Sequence, residues 1–146
     1  MPNLNTQLTE DCIQLLQQLI EIPSLSREEN LTAKALFHFF QNRRLEPNQN
    51  GNNIWLKNAG FHPELPTILL NSHHDTVKPT QGWTYDPFKA TLEDDKLTGL
   101  GSNDAGGPLV SLIATFLHYA EAENLPFNLI MAATAEEEIS GKNGIA

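Results

Sequence analysis

Three groups of residues in this 146-residue chain carry side chains that could do chemistry together. His73-His74-Asp75 offers imidazoles with a carboxylate close by. Asp104 is followed by Ala105-Gly106-Gly107. Glu136-Glu137-Glu138 places three acids in a row. In an extended segment, residues i and i+2 face the same side. Asp75 can therefore hydrogen-bond the ring of His73 and fix its tautomer, the usual arrangement behind a metal-bound histidine. His74 points the other way. Asp104 stands just before a predicted helix start, where the helix dipole favours an anion. Three acids directly after seven mostly apolar residues are costly near a core, and a divalent cation would remove that cost. Each group also has an ordinary structural explanation: a satisfied His–Asp pair at a strand end, a helix N-cap, and a solvated loop.

The elements around these groups would bring them to one place. Pro66 to Ser72 is a short, nearly continuous apolar run. It predicts a strand buried on both faces, as in α/β proteins, and it ends at His73. Phe127 to Ala133 predicts a second such strand, running into the glutamates. Asp104-Ala105-Gly106-Gly107-Pro108 opens a long helix, with Pro108 suited to the first helical position. Leu109, Leu112, Ile113, Phe116, Leu117 and Ala120 form its core face. In open α/β sheets, ligands bind at the carboxyl ends of strands. One rim would thus receive His, Asp and Glu from points about thirty residues apart.

Upstream, residues 9 to 21 predict a helix capped by Thr9 and stopped by Pro23. Ser26-Arg27-Glu28-Glu29 reads as a capping box. It would open a second helix running to about Asn42, with Leu31, Ala35, Leu36, Phe39 and Phe40 facing the core. Asn50-Gly51 is a turn, Ile54-Trp55-Leu56 a short strand, and residues 89 to 100 a hairpin turning near Asp94-Asp95. Strands alternating with helices imply an α/β sandwich around a mostly parallel sheet.

The bulk numbers suit this reading. The length is that of one domain, with 40% hydrophobic and 18% charged residues. Nine Lys+Arg against eighteen Asp+Glu give a net charge of −9, which argues against a nucleic-acid or anionic-membrane surface. No apolar run approaches the ~20 residues that span a bilayer. Met1-Pro2-Asn3-Leu4-Asn5 lacks a basic region followed by an apolar stretch, so a cytoplasmic location is expected. The lone Cys12 lies among leucines at helical spacing and reads as a core residue. His38, His62 and His118 are expected to have no catalytic role. The chain stops at Gly144-Ile145-Ala146 without a closing element, which predicts a fragment.

Taken in order, Ser72-His73-His74-Asp75-Thr76-Val77, Trp83 with Asp86-Pro87-Phe88, Gly99-Leu100-Gly101-Ser102-Asn103-Asp104 and Ala133-Thr134-Ala135-Glu136-Glu137-Glu138 form a pattern. It resembles the metallopeptidase family that includes acetylornithine deacetylase, succinyl-diaminopimelate desuccinylase, aminoacylase and carboxypeptidase G. The resemblance covers nearly the whole chain. It implies a three-layer, zinc-peptidase-like catalytic domain, of which residues 1–146 are the N-terminal part. The dimerisation domain and the C-terminal part of the catalytic domain would be absent. It also implies two Zn²⁺ ions, with Co²⁺ as a substitute, and a homodimer for the complete enzyme. His73 would ligate one metal with Asp75 orienting it, and Asp104 would bridge both. Glu137 would be the general base and Glu138 a ligand. A register shifted by one, with Glu136 as base and Glu137 as ligand, stays open. A cis peptide is expected after the bridging aspartate.

In one place the pattern departs from the family. Many members have Asp-x-Lys-Gly, whereas this chain has Asp104-Ala105-Gly106-Gly107. That form looks like a branch of acetylornithine, succinylornithine and acetylcitrulline deacylases. The reaction implied is hydrolysis of an N-acyl amino acid, N-acetylornithine in arginine biosynthesis being an example. The family also needs a later acidic ligand and a C-terminal histidine, so this chain alone is expected to be nearly inactive. Rival readings are a di-zinc aminopeptidase of related fold and a non-catalytic module. Trp83, Tyr85 and Phe88 would line either a substrate entrance or the core.

Overall fold

The computed structural model describes residues 4 to 145. Met1-Pro2-Asn3 and Ala146, with the reading of the first three as no leader, lie outside the described residues. Two helices come first, α1 (Leu4–Glu21) and α2 (Asn30–Gln41). A hairpin follows, β1 (Asn48–Asn50) and β2 (Asn53–Lys57), then strand β3 (Thr67–His73). A separate hairpin, β4 (Thr91–Glu93) and β5 (Lys96–Thr98), precedes α3 (Gly107–Tyr119) and strand β6 (Asn128–Thr134).

The α/β class is as the sequence implies, but the sheet is mixed. Its order is β1-β2-β6-β3. Only β3 and β6 run parallel, while β1 with β2 and β2 with β6 are antiparallel. The expectation of a mostly parallel sheet is corrected here. An apolar run marks a strand but not which way it runs, and β6 inserts between β3 and the β1–β2 hairpin. β6 is the central strand and is buried nearly throughout. β3 is an edge strand, exposed over its first three residues and buried only at Ser72 and His73. The expected burial on both faces therefore fails for β3.

Strand alternation sorts the sheet into two faces. Ile54 and Leu56 stand beside Ala133 and Met131. All four are buried, in one cluster with Leu15 and Leu19 of α1, Leu36 and Phe40 of α2, and Ile113 and Phe116 of α3. The helices thus share one core with one face of the sheet. Trp55, Ile130 and Leu69 occupy the other face and are half-buried or exposed. Of the expected three-layer sandwich, the described residues supply the sheet and one helical layer.

Local details differ from expectation where tertiary contacts outweigh pattern. α1 begins before Thr9, which lies inside it rather than at its cap. α2 buries Thr32, Ala33, Leu36 and Phe40, while Leu31 is exposed. The face is rotated by about one position because α2 must also cover the polar cluster described below. Its start at Asn30 has Glu29 as N-cap residue with no side-chain capping bond. The capping box read at residues 26 to 29 therefore does not form as such. Cys12 is buried in the core. Both hairpins turn where the sequence places them, with positive φ at Gly51 and at Asp94 and Asp95.

Candidate metal centre

Parallel pairing of β3 with β6 brings the first and last groups together. His73 is the register partner of Thr134, so both strands end at one rim. His74 and Asp75 continue from β3, and residues 135 to 138 continue from β6. Glu136 adopts a left-handed conformation (φ 55°), which turns the chain into the short 3₁₀ segment Glu137–Ile139. Asp104 reaches the same rim from the irregular stretch before α3. Its peptide bond to Ala105 is cis, as expected. Gly101, with φ 74°, makes the turn into that stretch. A Cβ there would meet the Thr76 side chain at 2.6 Å.

Asp75 is the hub of the site and is almost wholly buried. Its Oδ1 accepts the N–H of Glu137 at 3.1 Å, and its Oδ2 accepts the N–H of Glu138 at 3.2 Å. The Ser26 hydroxyl donates to Oδ2 at 2.7 Å. Nδ1 of His73 lies 3.3 Å from Oδ1 and 3.1 Å from the main-chain oxygen of Asp75. One carboxylate thus holds the imidazole and the backbone of the glutamate turn at the same time. Burial alone would push this carboxyl up. The bonds from His73, Ser26, Glu137 and Glu138 outweigh burial and hold it at about 2.

With Nδ1 held, Nε2 of His73 faces the other two groups. It stands 3.1 Å from Asp104 Oδ1 and 3.6 Å from Glu137 Oε2. Donor atoms of His73, Asp104 and Glu138 all lie within 4.8 Å of one another. One imidazole nitrogen and two carboxylates are a common donor set for a divalent ion such as zinc. Glu138 is raised above the usual carboxylate range, by burial first and then by the negative charge of Asp104. Convergence of these acids is unfavourable without a cation and favourable with one. The residues fit the metal that the sequence implies. Glu137 is exposed and points its carboxylate toward the His73 ring.

The His73 ring is raised to about 9 by its bond to Asp75, helped by Asp104 and opposed by burial. A raised folded value means that this pairing stabilises the metal-free chain fully below about pH 6.5, the ordinary value. The contribution fades as pH rises through about 9. A cation at Nε2 requires the neutral ring. Zinc binding near pH 7 is therefore expected to release about one proton from His73. Calorimetry in buffers of different ionisation enthalpy measures this directly. Release of no proton would contradict a metal on His73.

His74 points away from the site. Its Nε2 lies 2.9 Å from the Asn52 carbonyl and its Nδ1 2.9 Å from the Thr32 hydroxyl. Burial pushes it below its ordinary value, so it is a neutral core histidine. Beside the rim runs a cleft of about 340 Å³, lined by Thr76, Val77, Trp83 and Gly101 together with Asp104 and Glu138. Trp83 is exposed on it, so this one of the three aromatic residues lines the opening. Tyr85 instead donates to Glu93 at the surface.

Sequence reasoning missed Ser26 and Glu29 as parts of this site. Their spacing suggested a helix cap, and nothing local marks a hydrogen bond to residues 49 or 107 positions away.

Comparison with known proteins agrees with the geometry. Residues 69–146, which is 78 of 146 residues, match the family described as peptidase family M20/M25/M40. The chain is 30% identical over 145 residues to succinyl-diaminopimelate desuccinylase of Blochmanniella floridana, covering 94% of this chain and 38% of that protein. It is 32% identical over 149 residues to acetylornithine deacetylase of Edwardsiella ictaluri, covering 94% and 38%. The chain thus spans little more than a third of the length of these relatives. Among solved structures, it superposes on the YXEP protein of Bacillus subtilis, described as a dinuclear metal-binding peptidase of the M20 family, with a TM-score of 0.69 and 20% identity. That match covers 95% of this chain and 38% of the other. It also superposes on the dipeptidase Dug1p of Saccharomyces cerevisiae with a TM-score of 0.67 and 22% identity, covering 92% and 34%. At these identities the superpositions speak for the fold alone. The family match over more than half of the chain, together with the ordered motifs at the rim, places this chain in peptidase family M20/M25/M40.

Proposed function

We propose that the chain forms the N-terminal part of the catalytic domain of a zinc-dependent N-acyl amino acid deacylase. The observation that carries this reading is the convergence of His73, Asp104 and Glu138, with Glu137 beside the same imidazole nitrogen. His73, Asp104 and Glu138 would hold the metal, and Asp75 would orient His73. Bound there, Zn²⁺ (or Co²⁺ in its place) would acidify water and polarise the acyl carbonyl. Glu137 would take the proton from the attacking water and pass it to the leaving amine. Its exposure leaves it able to swing between those two atoms. The register with Glu137 as base is favoured over the one with Glu136. Glu136 is buried, and its carboxylate accepts from the Asn143 side chain at 2.7 Å.

The relatives named as desuccinylase and deacetylase support an N-acetyl or N-succinyl amino acid as substrate, N-acetylornithine of arginine biosynthesis being one. The complete enzyme would be a cytoplasmic homodimer with two metal ions. The described residues bring too few ligands for two ions, since catalytic zinc usually has three protein ligands and Asp104 would be shared. The 146-residue chain is therefore proposed to be nearly inactive alone.

Turnover tests the reading. A chain extended to the length of the relatives should hydrolyse N-acetyl or N-succinyl amino acids and ignore free-amine dipeptides. The 146-residue chain should fall at least roughly 1,000-fold below the usual kcat range of 1–10³ s⁻¹. Preference for a free-amine dipeptide would replace deacylase by peptidase. Full turnover by the short chain would overturn its proposed inactivity.

A further inference from the structure

Glu29 is fully buried, yet it lies far in sequence from His73, Asp104 and the glutamate turn. Its carboxylate is surrounded by donors. Oε1 accepts the N–H of Arg27 at 2.6 Å and the N–H of Glu136 at 3.1 Å. Oε2 accepts the Asn52 side-chain amide at 2.8 Å. It does not cap the helix that starts beside it. Burying a carboxylate costs several kcal/mol unless its lone pairs are met, so a helix start alone does not account for this placement. The bond that spans the greatest distance in sequence is the one to Glu136, the left-handed residue that begins the glutamate turn.

The neighbouring residues act on the same loops. The Ser24 hydroxyl donates to the His74 carbonyl at 2.9 Å, and the Thr76 N–H donates to the Ser24 carbonyl at 2.9 Å. Leu25 forms a parallel bridge with Thr76, and Ser26 holds Asp75. Residues 24 to 29 therefore grip both halves of the rim. Ser26 reaches the loop after β3, and Glu29 reaches the loop after β6.

We propose that Glu29 is a positioning residue for the metal centre, fixing the start of the glutamate turn through the Glu136 N–H and thereby the directions in which Glu137 and Glu138 project. This inference rests on the metal-site reading above and adds a residue to it. The carboxylate is suited to the task because one oxygen serves two backbone donors while the other is anchored by Asn52. Without it, the Glu136 N–H would be a buried donor with no partner, and the turn would relax to satisfy it.

The test uses the chain itself, with two readouts. The first is amide hydrogen exchange at residues 136 to 138 in the metal-free chain, referred to α1 and α3. The second is Zn²⁺ affinity by calorimetry. Glu29→Met is similar in length but removes both acceptor oxygens. It should speed exchange at residues 136 to 138 by about 10-fold, leave α1 and α3 unchanged, and weaken zinc binding by about 10-fold, the scale seen for groups that hold metal ligands in place. Glu29→Gln instead keeps one acceptor oxygen for the Glu136 N–H, with its amide facing Asn52 Oδ1 after that side chain flips. It should restore both readouts.

Unchanged exchange at residues 136 to 138 would overturn the proposal. So would acceleration shared by α1 and α3, since that marks a general loss of stability. Faster local exchange with unchanged zinc affinity would overturn the role in positioning the metal ligands. Absence of zinc binding in the unsubstituted chain would instead sink the metal-site reading, and local exchange with its rescue would then decide the Glu29 clamp alone.

Discussion

Asp75→Ala should destabilise the metal-free chain by about 3–5 kcal/mol at neutral pH, the cost of breaking a buried charged network by removing one partner. The carboxylate is the shared acceptor for Ser26, the Glu137 and Glu138 amides and the His73 ring. Its loss leaves those donors facing a space that water does not readily fill. In a domain of this size, that loss lowers the melting temperature by roughly 10–15 °C. Asp75→Asn keeps one acceptor oxygen and should cost less. The pH dependence has a definite sign. The folded value, about 2, lies below the ordinary 3.8. The ionised Asp75 therefore contributes about 2 kcal/mol that is present above pH 4 or so and is lost as pH falls through about 2. Urea denaturation of the unsubstituted chain and Asp75→Ala at pH 7 and at pH 2.5 measures both effects. The gap between the two proteins should narrow at the lower pH. A difference below about 1 kcal/mol at pH 7 would show that Asp75 is not the hub of the rim.

Much of this was legible in the sequence because the signals were local and repeated. Leu109, Ile113 and Phe116 recur at helical spacing after Pro108, and α3 buries them. The two hairpins turn at Asn50-Gly51 and Asp94-Asp95, where the turn chemistry is explicit. The family resemblance of the ordered motifs singled out His73, Asp104 and Glu138, and the fold brings their donor atoms together. What sequence could not show were interactions that depend on register and direction. Whether β6 runs parallel or antiparallel to β2 is decided by where a distant hairpin docks, not by the residues of either strand. The rotated face of α2 has the same origin. Thr32 and Ala33 are inward because the Thr32 hydroxyl meets His74 and the Glu29 carbonyl, while the apolar Leu31 is left outside. Ser26 and Glu29 have the spacing of a capping box, and their true partners lie in loops that only the tertiary fold brings near.

The second large effect concerns Asp104. Its side chain is more exposed than those of His73 and Glu138 and faces His73 Nε2 at 3.1 Å, so removing it should cost the metal-free fold little. A group that repels Glu138 in the absence of metal would become a ligand in its presence. Asp104→Ala should therefore leave the metal-free melting temperature nearly unchanged and abolish stabilisation by zinc. A ligand that binds only the folded state at 100 times its Kd contributes about 2.7 kcal/mol, which corresponds to roughly 5–10 °C here.

The most direct test of the metal centre is thus a thermal melt of the chain and of Asp104→Ala, each with EDTA and with added Zn²⁺. Zinc should raise the melting temperature of the unsubstituted chain by roughly 5–10 °C and do nothing for Asp104→Ala. Equal shifts in both proteins, or no shift in either, would contradict a metal centre built on His73, Asp104 and Glu138.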